Sequence, residues 1–178
     1  MYWFALSVKS RHEKSVSRFL ADLGYESFLP IYKKQHCYGR RLREFELPLF
    51  AGYVFCRFSP FRRLPVLLTP GVIGIVGVGR TPMPLDDCEM MALQTAVQAR
   101  LPLTPFPFPE AGQKVLVGKG PLSGVVGTVV RMNQSLRIVL SVEMLKRSVL
   151  VEVDSDCVQR SIEREVNPYA APRPVERF

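Results

Sequence analysis

Two histidines, four scattered cysteines and no apolar stretch near the roughly 20 residues of a membrane span set the first limits on this chain. His12 stands among basic residues, and His36 lies in a Lys/Arg-rich segment beside Cys37. A Cys–His dyad needs spatial reach and a third orienting group, and adjacent residues point apart. Cys37, Cys56, Cys88 and Cys157 form no CxxC pair, which removes the usual zinc spacing. There is no Walker loop, and Gly77-x-Gly79 lacks the rest of a dinucleotide fingerprint. These absences point away from catalysis, with no metal and no cofactor expected. The opening MYWFALSVKSRHEK lacks the basic-then-apolar order of a signal peptide. Scattered cysteines behind such a start read as reduced thiols, so the expected location is the cytoplasm, away from membranes.

What the chain does have is apolar content and positive charge. Its 178 residues are 47% hydrophobic, enough for one ordinary domain or two small ones with real cores. The formal net charge is +8 and the pI about 9.6, which favours an anionic partner such as nucleic acid. Residues 1–101 hold 14 Lys or Arg against 8 Asp or Glu, and residues 102–178 hold 10 against 8. The early cations gather as Lys9, Arg11, Lys14 and Arg18, then as Lys33, Lys34, Arg40, Arg41 and Arg43. Arg11, Lys14 and Arg18 are spaced i, i+3, i+7, which would align them in one stripe of a helix.

The organisation is bipartite. Leu101 to Pro109 carries four prolines at near-alternating positions, which neither a helix nor a central strand accommodates. An extended spacer of roughly 25 Å is expected over 102–109, holding two domains apart. In the first, 1–101, Tyr2 to Val8 reads as a strand. Ser10 with Glu13 reads as a capping box that opens a helix with Val16, Phe19, Leu20 and Leu23 on one face. Further strands are expected at 27–33, 45–50, 53–58 and 72–78. A second helix opens at Asp86, with Glu89 three residues on, and presents Met90, Leu93 and Val97 to a core. Met91 is also expected to pack there. The second domain, 110–162, is a series of short Val/Ile-rich runs broken by Gly120 to Gly124, which suggests a small barrel offering an outer face to a partner. The residues 163–178 read as a disordered tail.

Several motifs, in order, resemble the NusG family of transcription elongation and antitermination factors. They are Trp3-Phe-Ala-Leu-Ser-Val8, His12-Glu-Lys14, Pro48-Leu-Phe-Ala-Gly-Tyr-Val-Phe55, Pro70-Gly-Val-Ile-Gly74 and Pro82-x-Pro84. The C-terminal part resembles a KOW domain through Gly112-x-x-Val115 and Gly120-Pro-Leu-x-Gly124-x-x-Gly127-x-Val129. The resemblance implies an α+β protein: an N-terminal NGN α/β sandwich with an antiparallel sheet, then a small SH3-like KOW β-barrel. It implies a monomer whose NGN domain binds the clamp helices of RNA polymerase through Phe50, Tyr53 and Phe55. Tyr53 and Phe55 share a strand face, so an open aromatic patch is expected. It also implies that Lys9, Arg11, Lys14 and Arg18 lie near non-template DNA. Met144 and Leu145 match the loop that offers an apolar pair to ribosomal protein S10 or to Rho.

The chain departs from the family pattern at Ala51, where many members have proline, and at Ser7, where specialised relatives such as RfaH carry an aromatic. Lys146 replaces a common glycine, which restricts the dihedrals of its loop. The resemblance extends to a processivity factor of the family or a specialised paralogue of the UpxY or RfaH kind. The KOW part is expected to stay a stable barrel, because its β-branched runs, Gly124, Gly127 and Pro121 all disfavour a helical alternative. The competing reading is a KOW-type ribosome- or RNA-binding protein that never touches polymerase.

Overall fold

A computed structural model describes residues 1–38, 41–79, 81–107, 113–132, 135–152 and 158–159. The tail at 163–178 and Cys157 lie outside the described residues. The architecture is α+β, with antiparallel sheets, few helices and a β-rich C-terminal region.

The chain opens with strand β1 (Tyr2–Val8), helix α1 (Glu13–Asp22) and strand β2 (Glu26–Phe28). Strands β3 (Ile31–Tyr38) and β4 (Arg41–Pro48) form a separate two-stranded ribbon. Then come β5 (Tyr53–Phe58), a 3-10 turn at Pro60–Arg62, the short helix α2 (Leu64–Leu67) and β6 (Val72–Ile75). A small pair, β7 (Gly77–Val78) with β8 (Thr81–Pro82), leads to helix α3 (Asp87–Gln98). The C-terminal strands are β9 (Leu103–Pro107), β10 (Gln113–Val117), β11 (Val126–Met132), β12 (Ser135–Val142), β13 (Arg147–Glu152) and β14 (Val158–Gln159).

The N-terminal sheet has the order β2-β5-β1-β6, so the crossovers through α1 and through α2 each skip one strand. Central β1 is apolar almost throughout because both its faces are covered. One face places Phe4, Leu6 and Val8 with Val54, Cys56 and Phe58, against Val16 and Leu20 of α1 and Val66 of α2. Phe19 and Leu23, expected on the same buried face of α1, are 43% and 57% exposed. A short helix on a four-stranded sheet buries a narrow stripe, which Val16 and Leu20 fill at i, i+4 spacing.

Helix α3 covers the opposite face. Its N-cap is Asp86, whose carboxylate accepts from the Cys88 N–H at 2.6 Å. Met90, Leu93 and Ala96 are buried beside Trp3, Ala5 and Phe55. Met91 is 63% exposed, one helical step off that stripe, so the methionine pair does not pack as a pair.

The C-terminal sheet has the order β14-β10-β11-β12-β13-β9. Its strands lie where the Val/Ile runs predict them. The proline-rich segment behaves differently from the expected spacer: Leu103–Pro107 is an antiparallel edge strand, pairing Leu103 with Val151 and Pro107 with Arg147. An edge strand has one row of backbone groups with no ladder partner, so a missing proline N–H is tolerated there. The segment thus belongs to the second sheet, and little chain is left to separate the two units.

Candidate interaction surfaces

The aromatic residues of the Pro48–Phe55 segment gather on one side of β5. The Phe50 and Phe55 rings meet edge to face, 5.3 Å between centroids at 82°, and Phe28 lies 6.1 Å from Phe55. A tight turn sets this geometry. The Tyr53 N–H donates to the Phe50 carbonyl, and Gly52 takes φ +83°, a conformation open to glycine. The Gly52 N–H donates to Glu13 Oε1 at 2.9 Å, while the Gly52 carbonyl accepts from the Val8 N–H at 2.9 Å. The turn is therefore bolted to the end of β1 and the start of α1. The expected Ser10–Glu13 capping box does not form. The N-cap position falls to His12 without a side-chain cap, and the buried Glu13 carboxylate serves the aromatic turn instead.

The patch is not open in this conformation. Phe50 and Phe55 are 1% and 0% exposed. They belong to one buried cluster that runs from Trp3 through Met90 and Leu93 to Ile138, Leu140, Val142 and Val149 of the C-terminal sheet. Tyr53 is half-buried, and the Arg147 guanidinium lies over its ring, 5.7 Å from the centroid. Glu89 accepts from the Glu143 N–H at 3.1 Å, joining α3 to the turn after β12. The expectation of two units held apart is thus corrected. Residues 103–107 of the expected linker form β9, and the second sheet packs through β12 on α3, with Arg147 reaching Tyr53.

Met144 and Leu145 lie in the 3-10 turn Glu143–Leu145 and are half-buried against this shared core, so the expected freely exposed pair is not seen here. Lys146, expected to resist unusual dihedrals, takes the left-handed conformation at φ 48°, ψ 44°. Such backbone costs a non-glycine residue on the order of 1–2 kcal/mol, and docking of the turn on either side holds it there. Burial raises the Glu89 carboxyl above its usual range, and the nearby charges of Asp86 and Glu143 push the same way, against the Glu143 N–H and Lys114. Sequence reading missed Glu89 and Arg147 as contact residues. Glu89 has the spacing of a helix cap, and Arg147 carries no local signal.

The four cations around α1 do not form one helical stripe. Arg11 precedes the helix with φ +64°, so only Lys14 and Arg18 share its face. Lys14 is ion-paired to Glu46 at 2.8 Å. Lys9, Arg11 and Arg18 are exposed. Among the described residues, no group of His, Cys, Asp and Glu could hold a metal ion, and no helix is long and apolar enough to cross a membrane.

The family model described as "Transcription termination factor nusG" matches residues 1–94. Among solved structures, one titled "Domain interaction in Thermotoga maritima NusG" aligns at 22% identity with TM-score 0.54, covering 91% of this chain and 97% of that one. A second, "Crystal Structure of MjSpt4:Spt5 complex conformation A", aligns at 18% identity with TM-score 0.30, covering 88% and 96%. No curated protein matches.

Proposed function

The chain belongs to the NusG family of non-enzymatic transcription factors, and we propose that it is an elongation factor that binds RNA polymerase through the aromatic side of its N-terminal sheet. The contact residues are Phe50, Tyr53 and Phe55, and the site on polymerase is the clamp helices. The observation that carries this reading is the family match falling on the unit where these three aromatics converge on a glycine turn anchored by Glu13. Two large apolar rings and a tyrosine on a rigid strand suit a buried anchor in a protein interface.

The C-terminal sheet shares one buried core with that surface and Arg147 covers Tyr53, so polymerase and the second unit compete for it. Binding polymerase releases the second unit together with the Met144–Leu145 turn, which then becomes available to ribosomal protein S10 or Rho. Lys9, Arg11 and Arg18 face non-template DNA when the first unit is docked, with Lys14 joining if it leaves Glu46. The outcome at target operons is processivity and antitermination.

The test is co-purification with polymerase. Phe55 is a poor probe because truncating a fully buried aromatic costs the fold about 3–5 kcal/mol. Tyr53 is half-buried, so Tyr53→Ala leaves the fold intact and loses polymerase from the pull-down. Unaltered capture of polymerase by that variant, or capture of ribosomes alone by the wild type, overturns the proposal.

A further inference from the structure

The N-terminal unit carries an outward apolar stripe on α2 and the turn before it. Phe61, Leu64 and Leu68 follow one another at i, i+3, i+7 along helical backbone that runs from the 3-10 turn Pro60–Arg62 through Arg63 and α2 to Leu68. That spacing lines up one helical face. The three side chains are 99%, 64% and 73% exposed, whereas Val66 turns inward and is buried with Phe4, Phe58 and Val16. The stripe therefore lies on the α1 side of the sheet, away from α3 and the aromatic turn. Pro60 and Pro65 open the two short helices and have no N–H. The N–H groups of Arg62, Leu67, Leu68 and Thr69 donate to the carbonyls of Ser59, Arg63, Leu64 and Val66, so much of the local backbone is already satisfied. Arg62 and Arg63 are exposed beside the stripe, and among the described residues neither is ion-paired. Residues 47–85 contain no Asp or Glu. Glu26, on edge strand β2, is engaged by Arg57 at 3.4 Å.

We propose that this stripe docks on the surface of an anionic lipid bilayer, with Phe61, Leu64 and Leu68 at the acyl boundary and Arg62 and Arg63 on headgroup phosphates. Such a contact lies in the plane of the interface and needs no spanning helix; its strength comes from buried apolar area plus attraction to anionic lipid. The two arginines match the sign of an anionic leaflet, and the stretch without carboxylates adds no repulsion. A second copy of the chain would bring the same cations against one another. Nucleic acid would use the cations and at most the Phe61 ring, because leucines do not stack on bases. A protein groove gains most from anchors held in place before binding. The Phe61 ring has nearly all of its surface in solvent and no neighbour to fix its rotamer, and fluid acyl chains accept it in any rotamer. The surface is separate from Phe50, Tyr53 and Phe55, so it does not depend on the polymerase contact proposed above.

The experiment sediments the full chain, without polymerase, with vesicles of equal parts phosphatidylglycerol and phosphatidylcholine and with vesicles of phosphatidylcholine alone, at physiological salt. The wild type binds the anionic vesicles in preference. Phe61→Ser with Leu68→Ser weakens that binding about tenfold or more although the charge is unchanged. Arg62→Gln with Arg63→Gln also weakens it about tenfold or more. Arg100→Gln with Lys119→Gln removes the same charge at exposed positions elsewhere and weakens binding only about twofold, because salt screens distant cations. Phe61→Trp reports insertion: its emission shifts to the blue on anionic vesicles, over a constant background from the buried Trp3. Melting curves show that each variant is folded. Absence of wild-type binding overturns the proposal and leaves the stripe to a protein groove. Equal binding to both kinds of vesicle, unchanged binding by the Phe61/Leu68 variant, no blue shift, or equal losses in the two charge variants would overturn it too.

Discussion

The Arg147 guanidinium lies over the Tyr53 ring at 5.7 Å, and this pair joins β13 to the aromatic turn of the first sheet. A second polar contact, Glu143 N–H to Glu89, lies at the same junction. Each is modest. A partly exposed cation–π pair contributes about 0.5–1 kcal/mol and a hydrogen bond about 1 kcal/mol. With shared apolar burial beneath them, they form the latch that polymerase binding opens in the proposed competition.

Removing both contacts shifts the chain toward the open arrangement. In Glu89→Ala/Arg147→Ala, amides around Tyr53 and in β12 exchange hydrogen faster, while the β1–β5 ladder keeps its protection. Unchanged exchange at Tyr53 would show that apolar burial alone holds the units together.

Glu89 also gives a pH sign. Its carboxyl is raised chiefly by burial, so the folded chain binds its proton more tightly than the unfolded chain does. That contribution to stability is fully present below the ordinary carboxylate range and is lost as pH rises through the raised pKa. Stability measured by urea unfolding should therefore fall over that interval in the wild type, and Glu89→Gln should remove this component. A wild-type profile that rises with pH while the Gln variant stays flat contradicts the assignment.

Glu13 is a structural acceptor. Glu13→Ala leaves the Gly52 N–H without its partner beside the aromatic turn, at a cost of about 1–3 kcal/mol in urea unfolding. Glu13→Gln keeps an acceptor oxygen and costs less. Equal loss in the two variants would show that the hydrogen bond is not what the residue supplies.

Thiol chemistry separates the cysteines. Cys56, on β5, is buried on the side of the sheet that α1 covers, and burial, with the Glu26 charge, pushes its thiol up to about 12. The exposed Cys88 thiol is raised mainly by the Asp86 charge. With a thiolate-selective reagent near neutral pH, Cys88 should label slowly in the native state, and Cys56 should stay unlabelled until the protein unfolds. Labelling of Cys56 in the native state contradicts its burial.

Much of this fold is legible in the sequence, for reasons that name its limits. β1 and β5 have the predicted bounds because each is a short apolar run with a sharp limit, Lys9-Ser10 after β1 and the Gly52 turn before β5. Asp86 marks the start of α3 because a cap is a local interaction. The misreadings arise where a residue's partner is remote. Glu13 has the spacing of a capping box, yet the Gly52 N–H lies across the fold. The prolines of 102–109 exclude a central strand but not an edge strand, and only the pairing with β13 decides between edge and spacer. The aromatics share a face as the alternation requires, but alternation carries no information about what covers that face. Glu89 and Arg147 give no local signal of their contacts with Glu143 and Tyr53, so the docking of the two units was not readable.

The most direct measurement is the affinity of the full chain for core RNA polymerase, compared among the wild type, the latch variant Glu89→Ala/Arg147→Ala and Tyr53→Ala. If the covered aromatic face is the polymerase surface, opening the latch strengthens binding by about tenfold, since a larger fraction of the chain is competent to bind. Tyr53→Ala binds more weakly than the wild type although it too lacks the Arg147 contact. Equal affinities for all three, or weaker binding by the latch variant with Tyr53→Ala unaffected, would contradict the account.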